Sequence, residues 1–167
     1  QHRFRKTNFR DAIEIIKDYD DLPSVCCYPS ELNQVFMHLL NNAVDAIDSQ
    51  AEKFSAKKNN ESFTHAHAIR IATSAVDDNS GVRISIADSG MGIPQKVRSF
   101  IFDPFFTTKS VGKGSGLGLS ICYQTIVHKH SGNIIYNSTP GNGTEFIIEI
   151  PILPTRDLYT SKEKTTT

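Results

Sequence analysis

Apolar residues recur at helical spacing in one long stretch, where Leu32, Phe36, Leu39, Leu40, Ala43 and Ile47 share a face. It opens at Pro29-Ser-Glu31, a proline and an acidic first turn that favour a helix start. Strict alternation marks other places. Ile69-Arg-Ile71 and Val82-Arg-Ile-Ser-Ile86 read as strands joined across the turn Asp77-Asp-Asn-Ser-Gly81, a hairpin that ends at Asp88. Ile13, Ile15, Ile16 and Tyr19 predict an earlier strand, with Val25–Tyr28 as its hairpin partner across Asp20-Asp-Leu-Pro23. A short helical stretch is expected after Pro94 and a last helix from about Leu117 to His130. Strands Asn133–Asn137 and Glu145–Ile150 close the chain around the turn Thr139-Pro-Gly-Asn-Gly143. The polar run 49–67 reads as a solvated loop, residues 1–12 as a basic linker from an upstream domain, and 155–167 as a frayed tail.

That order predicts an α/β (α+β) two-layer sandwich over residues 13–154. Its mixed, mostly antiparallel sheet has about five strands or more, with helices on one face. A doubly wound array of alternating strands and helices is excluded.

Composition changes little. A chain of 167 residues fits one domain, and its formal net charge of zero gives no argument for nucleic acid or an anionic membrane. No apolar run approaches the roughly 20 residues of a membrane span, and no signal-peptide pattern appears. Cys26, Cys27 and Cys122 lack metal-site spacing. Adjacent Cys26 and Cys27 in a strand-like run point to opposite faces. All three are expected to be buried, reduced thiols, which implies a reducing, cytoplasmic compartment.

Candidate chemistry concentrates in three segments. In Asp88-Ser-Gly-Met-Gly-Ile-Pro94 an acid ends a strand where Gly90 and Gly92 open the backbone. Its carboxylate suits an exocyclic amine such as adenine N6, whereas guanine offers a carbonyl there; the alternative is a plain strand-ending turn. Gly112, Gly114, Gly116 and Gly118 precede and open the last helix, a pattern suited to polyphosphate or to a flexible loop. It is neither a Walker loop nor a dinucleotide turn. On the long helix His38, Asn42 and Asp45 share a stripe at i, i+4 and i+7. The Asn42 carbonyl is a hard oxygen suited to Mg²⁺. His38 either contacts phosphate or orients a water, or simply packs, and Asp45 is expected to be solvated.

Phe102, Phe105 and Phe106 either dock a mobile lid or partner domain or anchor their own loop. Lys109 and Lys113 either meet phosphates or stay solvated. His65 and His67 lie in the polar run and read as exposed rather than metal-binding. His128 and His130 lie at the last helix's C-terminus, where a cap is the expected role.

Together these segments resemble the catalytic ATP-binding domain of sensor histidine kinases, within the wider family that includes gyrase, mismatch-repair and heat-shock chaperone ATPases. Gln34-Val-Phe-Met-His-Leu-Leu-Asn-Asn-Ala43 is similar to that family's N box, and Asp88–Pro94 to its first glycine box. Phe102–Lys109 is similar to its F box, Gly112–Ser120 to its second glycine box, and Gly141-Asn-Gly-Thr-Glu-Phe146 to its closing turn and strand. The resemblance implies a Bergerat-type sandwich on three helices, with an ATP lid between the F box and the last helix. It implies ATP and Mg²⁺ as cofactors. Asn42 would be the metal ligand, and His38 and Asn42 the candidate catalytic residues. Asp88 would read adenine, with Gly90 and Gly92 beside the base and Thr144 near it; Ile93 would also belong to the nucleotide site. Lys109, Gly114, Gly116, Leu117, Gly118 and Leu119 would lie along the phosphates.

Two positions depart from the pattern: His38 replaces the first asparagine of the N box, and Asp45 stands where a lysine is often found. The implied function is transfer of the γ-phosphoryl group to a histidine on a separate dimerisation domain, with a response regulator downstream. No direct contact with nucleic acid or membrane is implied, although the parent protein of such a domain can be membrane-anchored. The family's acceptor histidine precedes an acid and then a proline. The six histidines here precede Arg3, Leu39, Ala66, Ala68, Lys129 and Ser131, so the acceptor is expected to lie elsewhere. The alternative is a nucleotide-sensing interaction module with little kinase activity. An ATP-gated clamp of the gyrase kind is the weaker third reading, because its helix glutamate is His38 here.

Overall fold

The computed structural model describes residues 2–7, 10–56, 67–76, 80–110 and 114–152. Five strands form one sheet: β1 (Glu14–Tyr19), β2 (Ala68–Ala75), β3 (Gly81–Asp88), β4 (Asn133–Ser138) and β5 (Thr144–Pro151). Their spatial order is β1-β2-β3-β5-β4. Helix α1 (Pro29–Ala56), a 3₁₀ helix (Gln95–Phe100) and a last helix make up the other layer; the last helix begins as α2 (Gly118–Tyr123) and continues as a π-helix (Gln124–Lys129). The fold is the α/β sandwich expected, with a mixed and mostly antiparallel sheet.

The core lies between these layers. Helix α1 buries Leu32, Val35, Leu39, Ala43, Val44, Ile47 and Ala51 on one face. They pack against Ile69, Val82, Ile86, Phe146, Ile148 and Ile150 from the sheet and Cys122 and Ile126 from the last helix. Along β5 burial alternates with the pleat, so Thr144, Phe146, Ile148 and Ile150 face inward. Full burial of such aliphatic side chains is worth about 1.5–3 kcal/mol each.

Three expectations are corrected. First, β1 has no hairpin partner at Val25–Tyr28. It pairs parallel with β2, Glu14 opposite Ala68 through Tyr19 opposite Thr73. A parallel pair needs a crossover, which α1 supplies. Residues 25–28 are extended, and Val25 and Cys27 do pack on the core, but they form no ladder: Cys26 N–H donates to Ile152 O at 3.1 Å and Tyr28 N–H to the His130 ring at 3.0 Å. Second, Cys26 is exposed and Cys27 half-buried; only Cys122 is buried, and desolvation pushes its thiol up to about 12. Third, the polar run beginning at 49 is helical as far as Ala56, because Gln50 and Ala51 occupy buried positions and Gln50 Nε2 donates to Gly141 O at 3.2 Å. The rest of that run through 66, with His65, lies outside the described residues, as do 111–113 with Gly112 and Lys113, and the tail from 153.

The N-terminal segment folds onto α1. Arg10 is buried there: its guanidinium pairs with Asp48 at 2.5 Å and donates to the carbonyls of Arg3, Arg5 and Asp11. Among the described residues no helix is long and apolar enough to cross a membrane.

Candidate functional site

One stripe of α1 meets all three glycine- or lysine-bearing segments in order. His38 faces Gly118, where an added Cβ would stand 3.3 Å from the imidazole Nδ1. One turn on, the Lys109 ammonium donates to Asn42 Oδ1 at 3.5 Å and forms an ion pair with Asp45. At the far end Gly90 lies against Ala46, where a Cβ would come within 2.7 Å of the alanine methyl, and Met91 N–H donates to Ala46 O at 3.3 Å. Helical spacing therefore aligns His38, Asn42 and Ala46 along one line about two turns long. Asp45 is not simply solvated, as expected, but holds Arg3 and Lys109.

Asp88 ends β3 between Ile69 of β2 and Thr144 of β5. Its Oδ1 accepts the Gly90 N–H at 2.8 Å. Burial raises its pKa from 3.8 to about 6, against the lowering effect of the Gly90 and Thr144 N–H groups. Desolvation thus outweighs two favourable hydrogen bonds, which leaves a carboxylate short of partners. Two glycines are fixed by backbone geometry around it. Gly143 has φ +89°, and a Cβ there would stand 1.9 Å from the Asp88 carbonyl oxygen. Gly92 has φ +68°, and its Cβ would lie 2.3 Å from Thr139 O. Ser138 completes this end: its hydroxyl donates to Gly143 O, lies 3.0 Å from the Thr144 hydroxyl and accepts the Ile93 N–H at 2.8 Å. A cleft of about 190 Å³ borders Asp88, Thr144 and the 139–143 turn. It is also lined by Ala87, Asn137 and Glu145, includes no residue of the α1 stripe, and is smaller than the roughly 300–1,000 Å³ of complete small-molecule sites.

The aromatic segment divides. Phe102 and Phe106 pack against the core, with Phe102 in ring contact with Tyr123 and Tyr136, whereas Phe105 is 74% exposed. Phe105 has φ 66°, and Gly116 sits directly on its backbone. Gly114 lies beside Thr107 and Lys109. Leu119 packs on the core one residue after Gly118, and Leu117 caps the last helix, its N–H bonded to Ser115 Oγ at 3.3 Å.

His130 is buried, which its position at a helix end did not signal. Its Nε2 accepts the Tyr28 N–H at 3.0 Å, so the ring proton is on Nδ1, which donates to Thr125 O at 2.8 Å. It caps the helix as a neutral bridge to the start of α1, not as a charge at the dipole. His38 differs: its Nε2 is buried, with no hydrogen-bond partner among the described residues. Sequence reasoning missed Ala46, Gln50 and Ser138. Only Ala46 carried a signal, eight residues after His38 on the same helical stripe.

Residues 27–154 match the family described as histidine kinase-, DNA gyrase B- and HSP90-like ATPases. This chain belongs to that family. The family's domain binds ATP. Sporulation kinase E of Bacillus subtilis (strain 168) is 32% identical over 133 residues, 80% of this chain and 15% of the relative. The signal transduction histidine-protein kinase AtoS of Escherichia coli (strain K12) is 40% identical over 123 residues, 74% of this chain and 17% of the relative. The chain thus spans less than a fifth of the length of these two curated relatives. Among solved structures, the nucleotide-free catalytic domain of histidine kinase ThkA aligns with a TM-score of 0.65 at 31% identity, covering 85% of this chain and 80% of that one.

Proposed function

We propose that residues 13–154 are the catalytic ATP-binding domain of a sensor histidine kinase, with 1–12 as its link to an upstream domain and 155–167 as a tail. In this reading the chain binds Mg-ATP and positions the γ-phosphoryl group for a histidine on a separate dimerisation domain. The bond from the γ-phosphorus to the bridging oxygen breaks, a phosphorus–nitrogen bond forms and ADP leaves. A response regulator would then receive the phosphoryl group, and a cytoplasmic setting follows from such partners.

The observation that carries the reading is the α1 stripe. A histidine, an amide oxygen and a small residue face, in turn, the second glycine segment, the F-box lysine and the first glycine segment. Asp88 would accept from the adenine amine, with Gly92, Ile93 and Thr144 around the base. Gly114, Gly116, Leu117, Gly118 and Leu119 would run along the triphosphate, and Lys109 would turn to it. The buried, unpartnered Nε2 of His38 has capacity for a phosphate oxygen or a water.

A magnesium ion fits this donor set. Asn42 offers a neutral oxygen that the Lys109 ammonium already reaches. Mg²⁺ characteristically takes few protein ligands and completes its octahedron with water and phosphate. When bound it would neutralise charge on the triphosphate; positioning is the protein's part.

The test supplies a dimerisation domain with its acceptor histidine in trans, with ATP labelled at the γ-phosphate. Label should pass to that domain, be lost with Asn42→Ala, and never appear on this chain alone. Binding without transfer would instead favour the interaction module, for which the exposed Phe105 is the supporting observation.

A further inference from the structure

Three segments meet at one carboxylate. Asp45 on α1 pairs with Arg3 of the N-terminal segment and with Lys109 of the segment after the 3₁₀ helix. Each cation also reaches one of two adjacent amides a turn earlier: Arg3 donates to Asn41 Oδ1 at 2.9 Å, and Lys109 to Asn42 Oδ1 at 3.5 Å. The Asp45 and Lys109 side chains are 28% and 35% exposed and Arg3 is 48% exposed, so Asp45 and Lys109 are partly withdrawn from water while Arg3 is not. Two cations share one anion and repel each other across it. Drawing one away leaves the carboxylate wholly to the other.

Arg3 does not reach Asp45 by chance of a loose end. The pair of buried Arg10 with half-exposed Asp48 lies three residues further along α1, and Arg10 also binds the Arg3 carbonyl at 2.8 Å. Within the segment, Thr7 N–H donates to Arg10 O and Ile13 N–H to Phe4 O, both at 2.9 Å. The segment is a docked unit whose anchor delivers Arg3 to the edge of the site.

We infer that Asp45 is a positioning residue that links the N-terminal segment to Lys109. Capture of the Lys109 ammonium by an anion at Asn42 tightens the hold of Asp45 on Arg3. That the anion is a nucleotide triphosphate rests on the proposed function; the linkage between Arg3 and Lys109 does not. Linkage is reciprocal, so release of the segment alters affinity for that anion by the same factor. Ion pairs of this exposure support an effect of about threefold.

Backbone amide exchange at Thr7 and Ile13 in the 167-residue chain tests this. Without nucleotide, Lys109→Gln should slow exchange about threefold. Saturating Mg-ATP should do the same to the native chain, and neither change should occur with Asp45→Asn. Exchange that ignores Lys109→Gln, or slowing that persists with Asp45→Asn, overturns the linkage. A chain that responds to Lys109→Gln but neither binds nor responds to Mg-ATP keeps the linkage and loses the nucleotide reading. A chain that binds Mg-ATP with no response at these amides keeps that reading and loses the linkage.

Discussion

The two ends of the site are built differently. Around Asp88 the parts are fixed by backbone: a strand end, two glycines that no other residue fits, and a serine hydroxyl bonded to three groups. Around Asn42 the parts are long, half-exposed side chains held by ion pairs that could each be exchanged for another partner. One end is preorganised for a ligand of fixed shape. The other suits a ligand whose negative charge draws resident cations away from Asp45, which is how a rigid base and a flexible triphosphate would differ.

The strongest way to break this contrast is Asp88→Asn. It should weaken ATP binding by about 100-fold or more, because asparagine has one acceptor oxygen, which the Gly90 N–H claims, and would set an NH2 donor against the amine. Folding should not suffer. The pKa of Asp88 is raised in the folded state, so its contribution to stability is present below the ordinary carboxylate range and is lost as pH rises through about 6. At neutral pH the buried charge costs about 3 kcal/mol, so the substitution should leave the melting temperature unchanged or higher while calorimetry shows lost affinity. A protein unfolded by this substitution would make Asp88 a structural residue.

Next comes backbone rigidity. Gly143→Ala should destabilise by about 3 kcal/mol in a denaturant titration, since it adds a clash to an unfavourable φ. Gly141→Ala is the control: its φ is +86° but nothing lies within 4 Å of the added Cβ, so about 1 kcal/mol is expected. Equal losses would mean that the base end is not held by close contact.

At the phosphate end Asn42→Ala should abolish the magnesium dependence of ATP binding, with little change in unfolding midpoint. Retained dependence would move the metal to another ligand. ATP affinity should also fall by up to about tenfold per pH unit below pH 6, as protonation turns the Asp88 oxygen left free by the Gly90 N–H into a donor, and level off above it. A flat profile through pH 6 would take the acid out of recognition. Lys109→Gln should have the smallest effect, about threefold to tenfold in affinity and reduced by salt, as befits an exchangeable pair.

Much of this was legible in the sequence for a physical reason. Local periodicity locates α1, the β2–β3 hairpin and the closing strands, and strand ends plus glycines locate Asp88. What failed was non-local. The run from Val25 to Tyr28 alternates correctly, with Val25 and Cys27 turned to the core, yet β1 pairs with β2 some fifty residues away and no local pattern encodes that choice. Ion pairs were equally invisible. Nothing around Arg10 marks it as the buried partner of Asp48, nor Asp45 as the meeting point of Arg3 and Lys109. Motif order anticipates that the second glycine segment, Lys109 and the segment after Asp88 lie against α1, where they meet His38, Asn42 and Ala46, but not the pairing of each side chain.

Calorimetric titration of the native chain with ATP and with GTP, both with magnesium at neutral pH, is the most direct measurement. Recognition of an exocyclic amine by Asp88 predicts that ATP binds and that GTP binds at least about 100-fold more weakly. Equal affinities for the two nucleotides would contradict it.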